Sequence, residues 1–125
     1  MTTPIIQLDG VSKTYPAAAG SFTALRDVSL TIGTGEFVVV TGQSGSGKST
    51  LLSLISGIDR ATTGSVTVNG VAVHGLSERD MSPWRGRTVG IVFQFFQLLP
   101  TLSAVENVML PMDFCSRWPS GERRE

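Results

Sequence analysis

Apolar positions recur along this chain with two different periods, and the switches between them mark out its elements. Ile6, Leu8 and Val11 predict a strand over Ile5 to Val11, with Gly10 as a candidate bulge and Tyr15-Pro16 closing it. Ala17-Ala18-Ala19-Gly20-Ser21 is small and weakly patterned, which predicts a surface loop. From about Leu25 to Ile32, Val28, Leu30 and Ile32 alternate with Asp27, Ser29 and Thr31, the pattern of a half-buried antiparallel strand. Gly33-Thr34-Gly35 then turns the chain into the unbroken run Phe37-Val38-Val39-Val40, which reads as a central strand buried on both faces. Leu51, Leu52, Leu54 and Ile55 give an apolar side to a helix from about Lys48 to Ser56, with Gly57 as its stop.

The second half continues the alternation of strand and helix. Two β-branched runs between Ser65 and Val73 flank Asn69-Gly70, a strong short-range hairpin signal. Ser77 to Arg85 predicts a short helix capped by Ser77 with Asp80 at the capping-box position, its end disturbed by Pro83. Val89 to Phe93 predicts another buried strand, and Phe95 to Pro100 a loop. Ser103-Ala104-Val105-Glu106 is a full capping box, and Val105, Val108, Met109 and Met112 behind it share one helical face that reads as core. Pro111 weakens the last turn of that helix, and Ser120 to Glu125 has the pattern of another helix opening. Alternating strands and helices predict an α/β fold.

The candidate chemistry lies between the run at Val40 and the helix at Lys48. Gly42-Gln43-Ser44-Gly45-Ser46-Gly47-Lys48-Ser49 fits G-x-x-x-x-G-K-[ST] without a mismatch, and Thr50 follows it. Gly45 and Gly47 permit backbone conformations closed to residues with a Cβ, so successive N–H groups can converge on one anion. Lys48 adds a cation within reach of outer phosphates, and the Ser49 hydroxyl is a magnesium ligand by type. The helix that starts here points its positive end at the same spot. Strand, loop and helix in this order favour a nucleotide-binding loop over a plain Gly/Ser turn.

Composition narrows the classes further. At 125 residues with 41% apolar content, the chain is at most one globular domain. Ten basic and ten acidic residues give zero formal charge, so there is no electrostatic footprint for nucleic acid. The single cysteine, Cys115, cannot form an internal disulfide, which fits a reducing compartment. The one histidine, His74, is far from it in sequence, which leaves a Cys/His dyad or metal site little support. No run approaches the roughly 20 apolar residues of a membrane span, and Met1-Thr2-Thr3-Pro4 lacks the regions of a signal peptide. A cytoplasmic chain is expected.

Taken together, Val11-Ser12-Lys13-Thr14-Tyr15, Ala24 to Leu30, Gly42 to Thr50, Gly64-Ser65-Val66 with Asn69-Gly70, and Val92 to Pro100 followed by Leu102 to Val108 resemble the nucleotide-binding subunit of an ATP-binding cassette (ABC) transporter. The likeness is to the lipoprotein-releasing and macrolide-exporting branch and covers nearly the whole chain. It implies a P-loop NTPase with a RecA-like core and an antiparallel β subdomain, binding ATP and Mg2+. Gly42 to Thr50 would be the Walker A cradle, and Tyr15 the A-loop aromatic that stacks on adenine. Gln94 would be the Q-loop glutamine that joins Ser49 at the magnesium site. The resemblance also implies a membrane-spanning subunit against the Q-loop region, a homodimer of nucleotide-binding domains, and a place at the inner face of the cell membrane. The apolar cluster Phe95, Phe96, Leu98 and Leu99 has two readings, a patch for that partner or a segment folded back onto the core.

Three parts of the family pattern, the Leu-Ser-Gly-Gly-Gln signature, the apolar Walker B strand ending in Asp-Glu, and the switch histidine, do not occur in residues 1–125. Met109-Leu110-Pro111-Met112-Asp113 is interrupted by proline and followed by Phe114, and His74 precedes Gln94 rather than following it. The holding parts for phosphoryl transfer are present and the water-orienting carboxylate is not. Residues 1–125 are therefore expected to be an N-terminal portion, incomplete at the C-terminus, of a working ATPase subunit. The alternative is a nucleotide-binding module without hydrolysis. A GTPase is disfavoured by the lack of an Asn-Lys-x-Asp motif, and Tyr15 with Gln94 favours the cassette over a small kinase.

Overall fold

Pairing of distant segments, more than local propensity, decides which of these stretches become strands. The computed structural model describes residues 3–115. The chain divides into two units, Met1–Ser77 and Glu78–Glu125.

In the first unit, β1 (Pro4–Ala17) and β2 (Gly20–Gly33) form a long hairpin, β3 is Thr63–Val68 and β4 is Val71–Ala72. They make one antiparallel sheet in the order β2-β1-β3-β4. The strand predicted to close at Tyr15-Pro16 instead runs on to Ala17, because Tyr15 pairs with Phe22 and Pro16 with Ser21. The expected surface loop over residues 17–21 is correspondingly a tight turn at Ala18-Ala19 inside the hairpin. Gly10 sits at a register shift between Leu8 and Val11, the bulge that the sequence suggested. Asn69 and Gly70 both have positive φ, 48° and 75°, the conformation a two-residue hairpin turn requires.

The α1 helix (Lys48–Ile55) packs on β2 and β3. It buries Leu51 and Leu54 with Leu8, Val11, Leu25, Val66, Val68 and Val73. Each such side chain removed from water contributes on the order of 1.5–3 kcal/mol. Gly57, at φ 71°, turns the chain out of the helix as predicted. Gly64 is required where β3 crosses β1, since a Cβ there would collide with the Gly10 carbonyl. His74, in a short 3-10 turn (Val73–Gly75), places Nδ1 3.0 Å from the amide nitrogen and the carbonyl oxygen of Val66, a tie from that turn to β3.

Residues 37–40 depart from expectation. They form no strand, and Phe37 and Val39 are 92% and 69% exposed. No described segment pairs with them, and a strand without a ladder has neither backbone partners nor cover for its side chains. The same reason applies to residues 89–93 in the second unit, which are also unpaired, with Val92 99% exposed.

The second unit contains α2 (Glu78–Thr88) packed on α3 (Ala104–Cys115). Both helices continue through their prolines, Pro83 and Pro111, where the sequence suggested disruption. The Cys115 thiol donates to the Gly86 carbonyl at 2.7 Å across the pair. The capping box forms as predicted: the Ser103 amide donates to Glu106 Oε2 at 2.8 Å and the Glu106 amide to Ser103 Oγ at 3.3 Å. The Val105, Val108, Met109 and Met112 face, expected as core, is not enclosed, since α3 buries none of its residues. The helix opening suggested at residues 120–125 lies outside the described residues.

Candidate functional site: a phosphate cradle beside a tethered tyrosine

Residues 42–47 leave the exposed run at Val40 and wrap into a loop that ends at the first turn of α1. The loop is closed by its own lysine. Lys48 Nζ donates to the Gly42 carbonyl at 2.8 Å, the Gln43 carbonyl at 2.7 Å and Ser46 Oγ at 3.3 Å. The Ser46 amide also donates to the Gln43 carbonyl at 3.1 Å. This holds the ammonium at the mouth of the loop, where the positive end of the helix dipole adds to its charge.

Gly47 caps α1 at φ 98° and provides no side-chain hydrogen bond to the helix amides, and the first turn carries no acidic residue. The opening N–H groups of α1 are thus left for an incoming acceptor. Gly47 also has no room for a Cβ, which would lie 2.6 Å from the Ala24 carbonyl oxygen. The cradle is in this way pressed against β2. Its donor set, main-chain amides plus an ammonium, with the Ser49 hydroxyl exposed in the first turn, suits a polyphosphate and the divalent cation that accompanies one. Among the described residues, no cluster of three or more His, Cys, Asp or Glu could hold a metal alone. A cation here would take its remaining ligands from the phosphates and water.

Tyr15 is connected to this loop through the sheet. Gly47 abuts Ala24, the neighbouring Leu25 pairs with Lys13, and Tyr15 is two residues further along β1. Tyr15 is half-buried, and its hydroxyl donates to Asp59 Oδ2 at 2.7 Å. Lys13 Nζ contacts Asp59 Oδ1 at 2.7 Å, donates to the Arg60 carbonyl at 2.7 Å and stands 4.7 Å from the Tyr15 ring centroid. Partial burial pushes the Asp59 carboxyl upward. Hydrogen bonds from Lys13, Tyr15 and the Arg60 amide, with the Lys13 charge, outweigh this and hold it below its ordinary 3.8.

Sequence reading gave no role to Lys13 or Asp59. Spacing hinted at the first, because residues two apart on a strand share a face, but the link to Asp59 spans 46 positions. Gln94 belongs to the second unit, in an exposed segment without regular structure. Asn107 is a further residue missed from sequence. Its amide donates to the Leu99, Leu102 and Ser103 carbonyls and its Oδ1 accepts from the Leu99 amide at 2.9 Å, pinning residues 99–103 to α3. Phe95, Phe96 and Leu98 just before them are 77%, 89% and 66% exposed, so within their own unit they do not fold back into a core.

Comparison with known proteins decides the family. A family model described as ABC transporter matches residues 25–125. This chain belongs to that family. Among ABC transporter proteins it is similar to the lipoprotein-releasing system ATP-binding protein LolD of Anaeromyxobacter dehalogenans, 50% identical over 112 residues that make up 90% of this chain and 47% of that protein. It is 49% identical over 110 residues to an uncharacterized ABC transporter ATP-binding protein of Mycobacterium tuberculosis, covering 88% of this chain and 44% of that one. A dimeric structure of the ATP-binding cassette MJ0796, in a post-hydrolysis state bound to ADP and Pi, matches with a TM-score of 0.88 at 40% identity, over 95% of this chain and 52% of that chain. The likeness agrees with the expected P-loop NTPase fold, whose antiparallel β subdomain is the sheet β2-β1-β3-β4. The chain spans about half the length of the relatives it matches. Among the described residues, no helix is long and apolar enough to cross a membrane.

Proposed function

We propose that residues 1–125 are the nucleotide-gripping portion of an ABC transporter ATP-binding subunit, and that the cradle of Gly42, Gln43, Ser44, Gly45, Ser46, Gly47, Lys48, Ser49 and Thr50 binds the phosphates of ATP. The observation that carries this reading is the loop's construction, a lysine ammonium held at its mouth together with helix amides that no side chain caps. In this reading Tyr15 stacks on the adenine, and the Ser49 hydroxyl and Gln94 contribute to holding Mg2+. Bound magnesium would neutralise charge on the outer phosphates. Hydrolysis needs a water-orienting carboxylate, which the family resemblance assigns to sequence outside residues 1–125. In the complete protein, two such domains would form a dimer at the inner face of the membrane and drive transport through a membrane-spanning subunit. The exposed Phe95, Phe96, Leu98 and Leu99, with the loop end pinned by Asn107, form the patch for that subunit.

The test is calorimetry with Mg-ATP. Replacing Lys48 by Ala removes charge-assisted hydrogen bonds and is expected to weaken binding about tenfold to a hundredfold. Tyr15→Ala is expected to weaken ATP while leaving inorganic triphosphate nearly unaffected. Equal affinity for Mg-ATP in the parent and Lys48→Ala chains would remove the cradle from the argument.

A further inference from the structure

An aromatic ring that recognises a base has to be held in one attitude, because a ring free to turn on a hairpin gives back in lost rotamer freedom much of what stacking gains. Tyr15 is held. Its hydroxyl is anchored 2.7 Å from Asp59 Oδ2, and Asp59 is itself fixed by Lys13 Nζ and by the Arg60 amide, each at 2.7 Å from Oδ1. The Lys13 ammonium also covers one face of the ring from 4.7 Å. A base can then stack only against the other face. The Lys13 side chain is 13% exposed and that of Asp59 30%, so the cluster is shielded from much of the solvent that would otherwise loosen it.

The tether also bridges the parts of the first unit that the nucleotide reading uses. Tyr15 and Lys13 lie on β1, while Asp59 lies four residues beyond the last residue of α1, the helix whose first turn forms the cradle. The Thr14 amide donates to Thr62 Oγ1 at 3.0 Å and the Thr62 amide to the Ser12 carbonyl at 2.9 Å, so the same short stretch of β1 is fastened to the segment after α1 at several points. Ring and cradle are thereby both tied to α1 and the segment that follows it.

We propose that Asp59 and Lys13 are positioning residues that hold the Tyr15 ring for stacking on a purine, so that preference for a nucleotide over a bare polyphosphate depends on the hydroxyl–carboxylate tether as well as on the ring. This rests on the reading of Tyr15 given above. The test measures equilibrium binding of Mg-ATP and of magnesium inorganic triphosphate to the full chain, and takes the ratio of the two affinities as its readout. A residue that only supports the fold would weaken both ligands together and leave the ratio unmoved.

Tyr15→Phe keeps the ring and removes the tether. Asp59→Ala removes its other end. Each is expected to lower the ratio about threefold to tenfold, a part of the loss on removing an aromatic platform. The double variant is expected to lose no more than Asp59→Ala alone, since the bond that Tyr15→Phe removes is already gone there. Asp59→Asn keeps an oxygen that can accept from the phenol and is expected to recover most of the ratio lost in Asp59→Ala. A parent-like ratio in Tyr15→Phe, alongside a lowered ratio in Tyr15→Ala, would overturn the proposal and leave the stacking reading standing. No change in Tyr15→Ala would sink the stacking reading and the proposal with it. Because Tyr15→Phe is nearly isosteric, the decision does not depend on Asp59→Ala folding.

Discussion

Val66-Thr67-Val68 and Phe37-Val38-Val39-Val40 are runs of similar composition in the same unit, and they have opposite fates. Val66 and Val68 are 2% and 5% exposed in the middle of a sheet, whereas Phe37 and Val39 are 92% and 69% exposed in no sheet at all. The difference is a partner. Leu8 stands opposite Val66 and Ile6 opposite Val68 on β1, while nothing described pairs with residues 37–40. β-branched side chains fit a pleated, half-buried surface, and they do not create one. The cradle therefore takes its rigidity from α1, packed on the sheet at its C-terminal side, and not from the run that leads into it.

The sharpest way to break this contrast compares core and run by chemical denaturation followed by circular dichroism. In residues 1–125, Leu54→Ala is expected to lower stability by ~2–5 kcal/mol, because Leu54 is 1% exposed under the sheet. Phe37→Ala is expected to change it by less than about 0.5 kcal/mol, as at other uncovered positions. In a longer chain that lays a strand against residues 37–40, the Phe37→Ala cost should rise to about 3–5 kcal/mol while that of Leu54→Ala stays as it was. A Phe37→Ala cost equal to that of Leu54→Ala in residues 1–125 would mean that the run is already covered.

Sequence legibility divides along the same line. The Asn69-Gly70 turn, the Ser103–Glu106 capping box, the Gly57 stop and the glycine-lysine loop are set by neighbours within a few positions, and all four could be read directly. Strand limits could not. β1 passes through Pro16 because β2 lies alongside it, and residues 37–40 and 89–93 stay unpaired for want of a neighbour. The α3 stripe looked like core because periodicity reports which face is apolar and is silent on whether anything covers it. At the candidate site, the glycine-lysine loop was legible as a motif, while the Lys13–Asp59–Tyr15 cluster was not, because it joins residues 44 and 46 positions apart.

A second prediction sharpens the contrast at the junction of cradle and sheet. Gly47→Ala forces a Cβ to within 2.6 Å of the Ala24 carbonyl oxygen at a residue with φ of 98°, so either the loop lifts off β2 or the strand yields. Backbone strain of this kind costs about 1–3 kcal/mol. The expected result is a lower unfolding midpoint together with weaker binding of both Mg-ATP and inorganic triphosphate. Gly35→Ala, on the approach to the exposed run, has open space around it and only the strain of its φ of 82°. It is expected to cost less and to leave triphosphate binding alone. Equal effects at the two glycines would show that contact with β2 does not hold the cradle.

The smallest effect concerns acid. Asp59 has a carboxyl held below its ordinary 3.8 despite the opposing push of burial, chiefly by the hydrogen bonds from Lys13 and Tyr15. A depressed carboxyl favours folding only while it is ionised. Its contribution is thus fully present above about pH 3.8 and lost as the pH falls through the lowered folded value. With its side chain 30% exposed, the ion pair is worth well under about 1 kcal/mol after solvent screening. Asp59→Asn is expected to leave a slightly less stable chain at neutral pH and to converge on the parent below that window. Stability that stays parallel between the two chains down through the acid range would show that ionisation of Asp59 adds nothing measurable to folding.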